Sequence, residues 1–151
     1  MNISEKNKEQ VDALQELLKK NYDAEAGYQK VMTKAESSTL KSWLQDKAAS
    51  RSHFANELDT QIRQLNAEPV SSGTTSGSLH RTWIDVKTAL SSDTDESILE
   101  ECIRGEKASI SEYEDQISKV NFNAETRNVL YGQKERIESS LNTVESLEEI
   151  A

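Results

Sequence analysis

The chain has 151 residues, 27 acidic against 18 basic, for a net charge of −9, and a single cysteine, Cys102. That length is one domain's worth and buries about two-thirds of the surface of its unfolded form, so no staple is needed; the lone cysteine excludes an intramolecular disulfide and a cysteine-rich zinc site. The acidic balance repels phosphate backbones and anionic lipid surfaces, which argues against nucleic-acid and membrane partners.

No apolar run follows Met1–Lys6, so neither a signal peptide nor a membrane span is expected, and the cytoplasm is the default location. One proline and five glycines are too few for the tight turns of a sheet protein. Abundant Glu, Lys, Gln, Ala and Leu favour helix. A first helix is expected from near Ser4 to about Glu36, with an apolar seam at Val11, Leu14, Leu18, Asn21, Glu25, Tyr28, Met32 and Ala35. The alternation of three and four keeps one face towards a partner, and a helix of that length, roughly 50 Å, is stable only when packed. Ser37-Ser38-Thr39 reads as turn and cap. A second helix then runs to about Asn66, with seam Leu40, Trp43, Leu44, Ala48, Arg51, Phe54, Leu58, Ile62 and Leu65. The short turn makes the two antiparallel neighbours.

The stretch 67–77, with Pro69, Gly73 and Gly77 among serines and threonines, is a flexible crossover at mid-chain. Leu79, Trp83, Val86 and Leu90 then mark a short extra helix, and Ser91–Asp95 interrupts it and caps a helix from about Glu96 to Val120. Its seam is Leu99, Cys102, Glu106, Ser109, Tyr113, Ile117 and Val120. Asn123 caps a last helix with seam Leu130, Lys134, Ile137, Leu141, Val144 and Leu147, whose acidic tail from Glu145 is expected to fray. The pattern predicts one all-α domain over 1–151: a four-helix bundle of two antiparallel hairpins joined by a long crossover, with an extra short helix.

Glu25 and Glu106 fall on seam positions, where a lone carboxylate costs several kcal/mol unless partnered. Glu25 lies about as far before the first turn as Ser50 and Arg51 lie after it. Counting from the last turn brings Gln133 and Arg136 near the level of Glu106. A polar layer of Asn21, Tyr28, Arg51, Tyr113 and Arg136 around the carboxylates follows. Asn21 precedes Tyr28 by the interval at which Glu106 precedes Tyr113, a weak internal echo of a duplication.

Over nearly its whole length, and most specifically at Gly77–Leu90 and at Glu101-Cys102-Ile103-Arg104-Gly105-Glu106, the sequence resembles an uncharacterised bacterial four-helix-bundle family of the ferritin-like superfamily. The resemblance implies a ferritin-like fold and no particular activity. Di-iron bundles of this general plan take a glutamate from each of two helices and Glu-x-x-His from each of the other two. Here Ser50 precedes His53, and Gln133-x-x-Arg136 stands where the other such motif belongs. Arginine cannot ligate a cation and glutamine is a poor iron ligand. Glu25, His53 and Glu106 remain as candidate ligands for a reduced site holding iron or another divalent metal. The competing reading pairs the carboxylates with Arg51 or Arg136 and needs no cofactor.

Catalytic motifs are missing: Gly73 and Gly77 lack a following lysine, and no nucleophile has a histidine at a recognisable spacing. The sequence therefore leans away from an enzyme and towards a non-catalytic bundle of unknown role with a degenerate metal site. A metal-binding oxidoreductase is the first alternative. A stress-related, partner-binding module is the second, with His80, Arg81, Trp83 and Asp85 as its surface. A homo-oligomer or a protein partner is left open.

Overall fold

The computed structural model describes residues 5–72 and 94–150. Among them are four helices: α1 Glu5–Met32, α2 Ser38–Gln64, α3 Asp95–Lys119 and α4 Ala124–Ile150. The expected short helix over 79–90, the later part of the crossover and the surface of His80, Arg81, Trp83 and Asp85 lie outside the described residues.

Local chemistry sets the helix ends. Thr33 turns its hydroxyl back onto the carbonyl of Lys30, at 2.7 Å, and takes the last turn of α1 out of register; α1 therefore stops at Met32, short of Glu36. Ser37 caps α2 by accepting from the Leu40 amide at 3.3 Å, and Thr94 caps α3 by accepting from the Ser97 amide at 3.1 Å. Asn123 does the same for α4, taking the Thr126 amide at 2.8 Å. Beyond α2, Asn66 sits at φ 61°, the Asn66 amide reaches the Arg63 carbonyl at 3.0 Å and the Ala67 amide reaches that of Ile62 at 3.2 Å. This is a Schellman end, with asparagine in the left-handed position that usually takes glycine. The tail expected to fray stays helical to Ile150, held by a fully buried Val144.

α1 packs along α2 and α3 along α4, and the hairpins meet through α1 against α3 and α2 against α4. The core falls into two apolar clusters. One joins Tyr28, Val31, Leu40, Leu44, Ile98, Leu99, Cys102 and Val144. The other joins Leu14, Leu18, Phe54, Leu58, Tyr113, Leu130 and Ile137. Because the beginning of α2 shares a cluster with the beginning of α3, those helices run parallel, and the end of α2 and the start of α3 lie at opposite ends of the bundle. Gln15 of α1 pins the chain that leaves α2, donating to the Glu68 carbonyl at 2.8 Å and accepting from the Val70 amide at 2.9 Å.

At four expected seam positions the buried side chain is the preceding neighbour. Val31 is buried where Met32 was expected and Ser140 where Leu141 was expected. Two charged positions behave likewise: Ala24 is buried where Glu25 was expected, and Gln133 where Lys134 was expected. A pitch of 3.6 residues leaves either neighbour near the seam. At the two charged positions, Glu25 and Lys134, desolvation favours the neighbour, since burying a charge costs far more than burying a methyl group or a hydrogen-bonded amide.

Candidate functional site

Between the two apolar clusters lies a layer of buried polar side chains to which every helix contributes: Asn21 and Tyr28 from α1, Arg51 from α2, Glu106, Ser109 and Tyr113 from α3, and Gln133 from α4. Each stands on the inward stripe of its helix, so burial follows from the seam. Arg51 is the hub. Its Nη1 donates to Asn21 Oδ1 at 3.1 Å, and its Nη2 donates to Glu106 Oε1 at 3.2 Å and to Ser109 Oγ at 3.1 Å. Tyr28 donates its hydroxyl to the same Glu106 oxygen.

A second line of bonds leads outward. Asn21 Nδ2 donates to the Leu17 carbonyl at 2.8 Å and to the Tyr113 hydroxyl at 2.9 Å. Tyr113 in turn donates to Gln133 Oε1 at 2.5 Å, and Gln133 Nε2 donates to the Phe54 carbonyl at 3.2 Å and to Glu57 Oε1 at 3.0 Å. The whole set is one polarised chain from Arg51 to a carboxylate near the surface, in which each side-chain amide has a defined orientation.

The electrostatics match. The Arg51 guanidinium and the Glu106 carboxylate balance each other in a medium that tolerates neither alone. Burial, the largest single effect, works against the guanidinium, but Glu106, Tyr28 and Tyr113 together outweigh it and hold Arg51 above its ordinary value. Burial pushes the Tyr28 hydroxyl well up, and the Glu106 charge adds to it. Burial also raises Tyr113, to about 12, against the pull of Arg51 and of its bond from Asn21. The Cys102 thiol, one turn before Glu106, is raised by burial and then by Glu106. It therefore stays a thiol at neutral pH, a small buried apolar group and a poor nucleophile.

Of the candidate ligands, the structure places only Glu106 in the layer. Glu25 is half-buried, and the His53 side chain is 59% exposed, 3.7 Å from Glu57. Arg136 is exposed, on the rim between α2 and α4. Among the described residues no three His, Cys, Asp or Glu side chains are grouped as a metal would need. The donor chemistry also fails to fit a di-iron centre. The space among Asn21 Oδ1, Glu106 Oε1 and Ser109 Oγ, oxygens that would face a cation, is taken by the guanidinium of Arg51, which brings a positive charge and no lone pair.

Several buried polar residues had no sequence signal, among them Gln10, Gln61 and Thr126, together with Asp23 and Ser140. Asp23 is 4% exposed and Ser140 is 3% exposed. Serine is common on either face of a helix, and Asp23 stands beside the seam where solvent was the simpler expectation.

Known proteins add the following. The sequence matches the family described as a domain of unknown function, DUF2383, over residues 9–119. No curated protein matches it. A point mutant of Dps1 from Mycobacterium smegmatis superposes with a TM-score of 0.80 at 19% identity, covering 96% of this chain and 99% of that one. Dps from the same organism, in a tetragonal crystal form, superposes with a TM-score of 0.76 at 16% identity, covering 95% of this chain and 88% of that one. The architecture is that of a ferritin-like four-helix bundle.

Proposed function

The chain belongs to the DUF2383 family, and from that premise we propose that it is a single-domain, non-catalytic ferritin-like bundle protein whose internal cation is Arg51. One observation carries the reading: the buried Arg51 guanidinium is bonded to Glu106, Asn21 and Ser109 at 3.1–3.2 Å. In a di-iron bundle the metals neutralise the inward carboxylates and tie the helices together. Here a side chain of the protein meets both needs, with its charge matched to one carboxylate. The role left to such a bundle is binding or assembly, not oxidation chemistry, and its acidic surface favours protein or small-molecule partners over nucleic acid.

The alternative, a mononuclear site from Glu25, His53 and Glu106, is disfavoured by the separation of exposed His53 from buried Glu106. Thermal unfolding tests the choice. A metal that binds only the native state raises its stability by about 2.7 kcal/mol at a hundredfold excess over Kd. The unfolding midpoint is expected to stay unchanged on adding ferrous or manganous ion, or a chelator. A rise of several degrees that disappears in Glu106→Ala would refute the proposal.

A further inference from the structure

The polar layer uses only one oxygen of Glu106. The other, Oε2, is buried with no hydrogen-bond partner among the described residues, and so is Ser140 Oγ. Both residues line the same slot of about 10 Å³, room for one water-sized atom. Two orphaned polar atoms facing one small space are a place where a hydrogen-bonding group belongs.

The slot does not stand alone. Lys47, Ser50, Arg136 and Ser140 line both it and an open groove of about 650 Å³ between α2 and α4. The groove sets two cations, Lys47 and Arg136, against one carboxylate, Glu135, and adds the Ser139 and Thr143 hydroxyls to its wall. On a chain of net charge −9 this is a locally positive, hydroxyl-rich surface. Gly132 lies on its wall, and a Cβ added there would meet nothing within 4 Å, so the glycine keeps the groove wide.

Charge restricts the occupant. A bare anion reaching the slot would meet the Glu106 carboxylate. A bare cation would meet Lys47 and Arg136 at the mouth and Arg51 beside Glu106. A molecule carrying both characters satisfies each end. We propose that this groove binds a small phosphomonoester with a hydroxyl or primary amine at its far end. The phosphate lies between Lys47 and Arg136, and the terminal donor enters the slot, where it donates to Glu106 Oε2 and shares a hydrogen bond with Ser140 Oγ. The site uses the Glu106 oxygen that Arg51 leaves without a hydrogen bond, and so rests on the reading of Arg51 rather than a metal as the internal cation.

Amide resonances of the labelled full-length protein, titrated with four probes, test this. O-phosphoethanolamine carries phosphate and amine, glycerol 3-phosphate carries phosphate and hydroxyl, inorganic phosphate is the anion alone and ethanolamine the donor alone. Saturable shifts at Lys47, Ser50, Arg136 and Ser140 are expected with at least one bifunctional probe. Its Kd should be about tenfold below that of inorganic phosphate, and ethanolamine should give none. Whichever of the two binds more tightly identifies the terminal group as amine or hydroxyl. Ser140→Ala should weaken binding roughly fivefold, the loss of one hydrogen bond. Gly132→Trp should abolish it while leaving resonances elsewhere in place, and Arg136→Glu, at an exposed position, should do the same. Equal affinity for inorganic phosphate, no shift with either bifunctional probe, or undiminished binding by Gly132→Trp and Arg136→Glu would each overturn the proposal.

Discussion

Arg51 and Glu106 illustrate how the value of a buried charge depends on its partner. Arg51→Met leaves the Glu106 carboxylate in the core without its cation, and removing one member of a buried pair costs about 3–5 kcal/mol. Replacing both, as Arg51→Met with Glu106→Leu, removes the charges together and should restore most of that loss. Chemical denaturation of the two single variants and the double variant gives the coupling directly, and simple additivity of the single losses would show that the pair is not coupled. The same layer sets an alkaline limit. Cys102, Tyr28 and Tyr113 all have folded-state values above their ordinary values of 9.0, 10.0 and 10.0. A raised value means that the native state holds its proton longer than the unfolded state, so this contribution is complete below the ordinary value and fades as pH rises through the folded one. Stability should be level on that account up to about pH 9 and then fall, and Tyr28→Phe should flatten the part of the fall that begins near pH 10. An unfolding midpoint independent of pH between 8 and 11 would contradict this. At this scale the sequence was informative where a polar residue interrupts an apolar stripe, as at Asn21, Arg51 and Glu106. It was silent at Ser140, whose type is at home inside or outside.

At the scale of elements, the ends of the helices do much of the tying. Asp95 opens α3 and reaches across the bundle, its carboxylate accepting from the Glu36 amide at 2.8 Å and the Ser37 amide at 2.9 Å. It thereby fixes the turn of the first hairpin to the start of the second. Gln10 plays the matching part at the opposite end, accepting from the Asn123 amide at 2.9 Å. Asp95→Ala should cost about 1–3 kcal/mol by orphaning two amides, seen as a lower denaturation midpoint with faster hydrogen exchange at Glu36 and Ser37. Gly132 lies within α4 with open space beyond it, so Gly132→Ala should raise stability by about 1 kcal/mol through helix propensity alone. A lower midpoint would mean that this turn of α4 relies on the absence of a side chain. The helices and their order were legible from the alternation of three and four, and Ser37 and Asn123 from their capping chemistry. Facing direction was legible only to within one residue. Glu25 and Lys134 yielded to Ala24 and Gln133 because a periodic pattern has no term for desolvation.

For the whole molecule, the layout of two apolar clusters divided by one polar layer accounts for both the fold and the functional reading. The clusters hold the hairpins together. The layer fixes their relative height, since each helix supplies a group bonded to a group on another helix, and a slip by one turn would strand Arg51 and Glu106. Such specificity is a known use of buried polar groups. The four-helix plan was readable from one mid-chain break and two short turns. The tertiary meeting of Arg51, Asn21 and Ser109 was not, because sequence spacing gives heights along a bundle and not which of several polar groups at one height will touch. Among the described residues no helix is long and apolar enough to cross a membrane. The most direct test of Arg51 as the internal cation is a metal count: incubate the untagged protein aerobically with ferrous iron, remove the excess and determine metal per chain by elemental analysis. The account predicts essentially none, with the helical circular dichroism intact. A whole-number content of one or two irons that depends on Glu106 would contradict it.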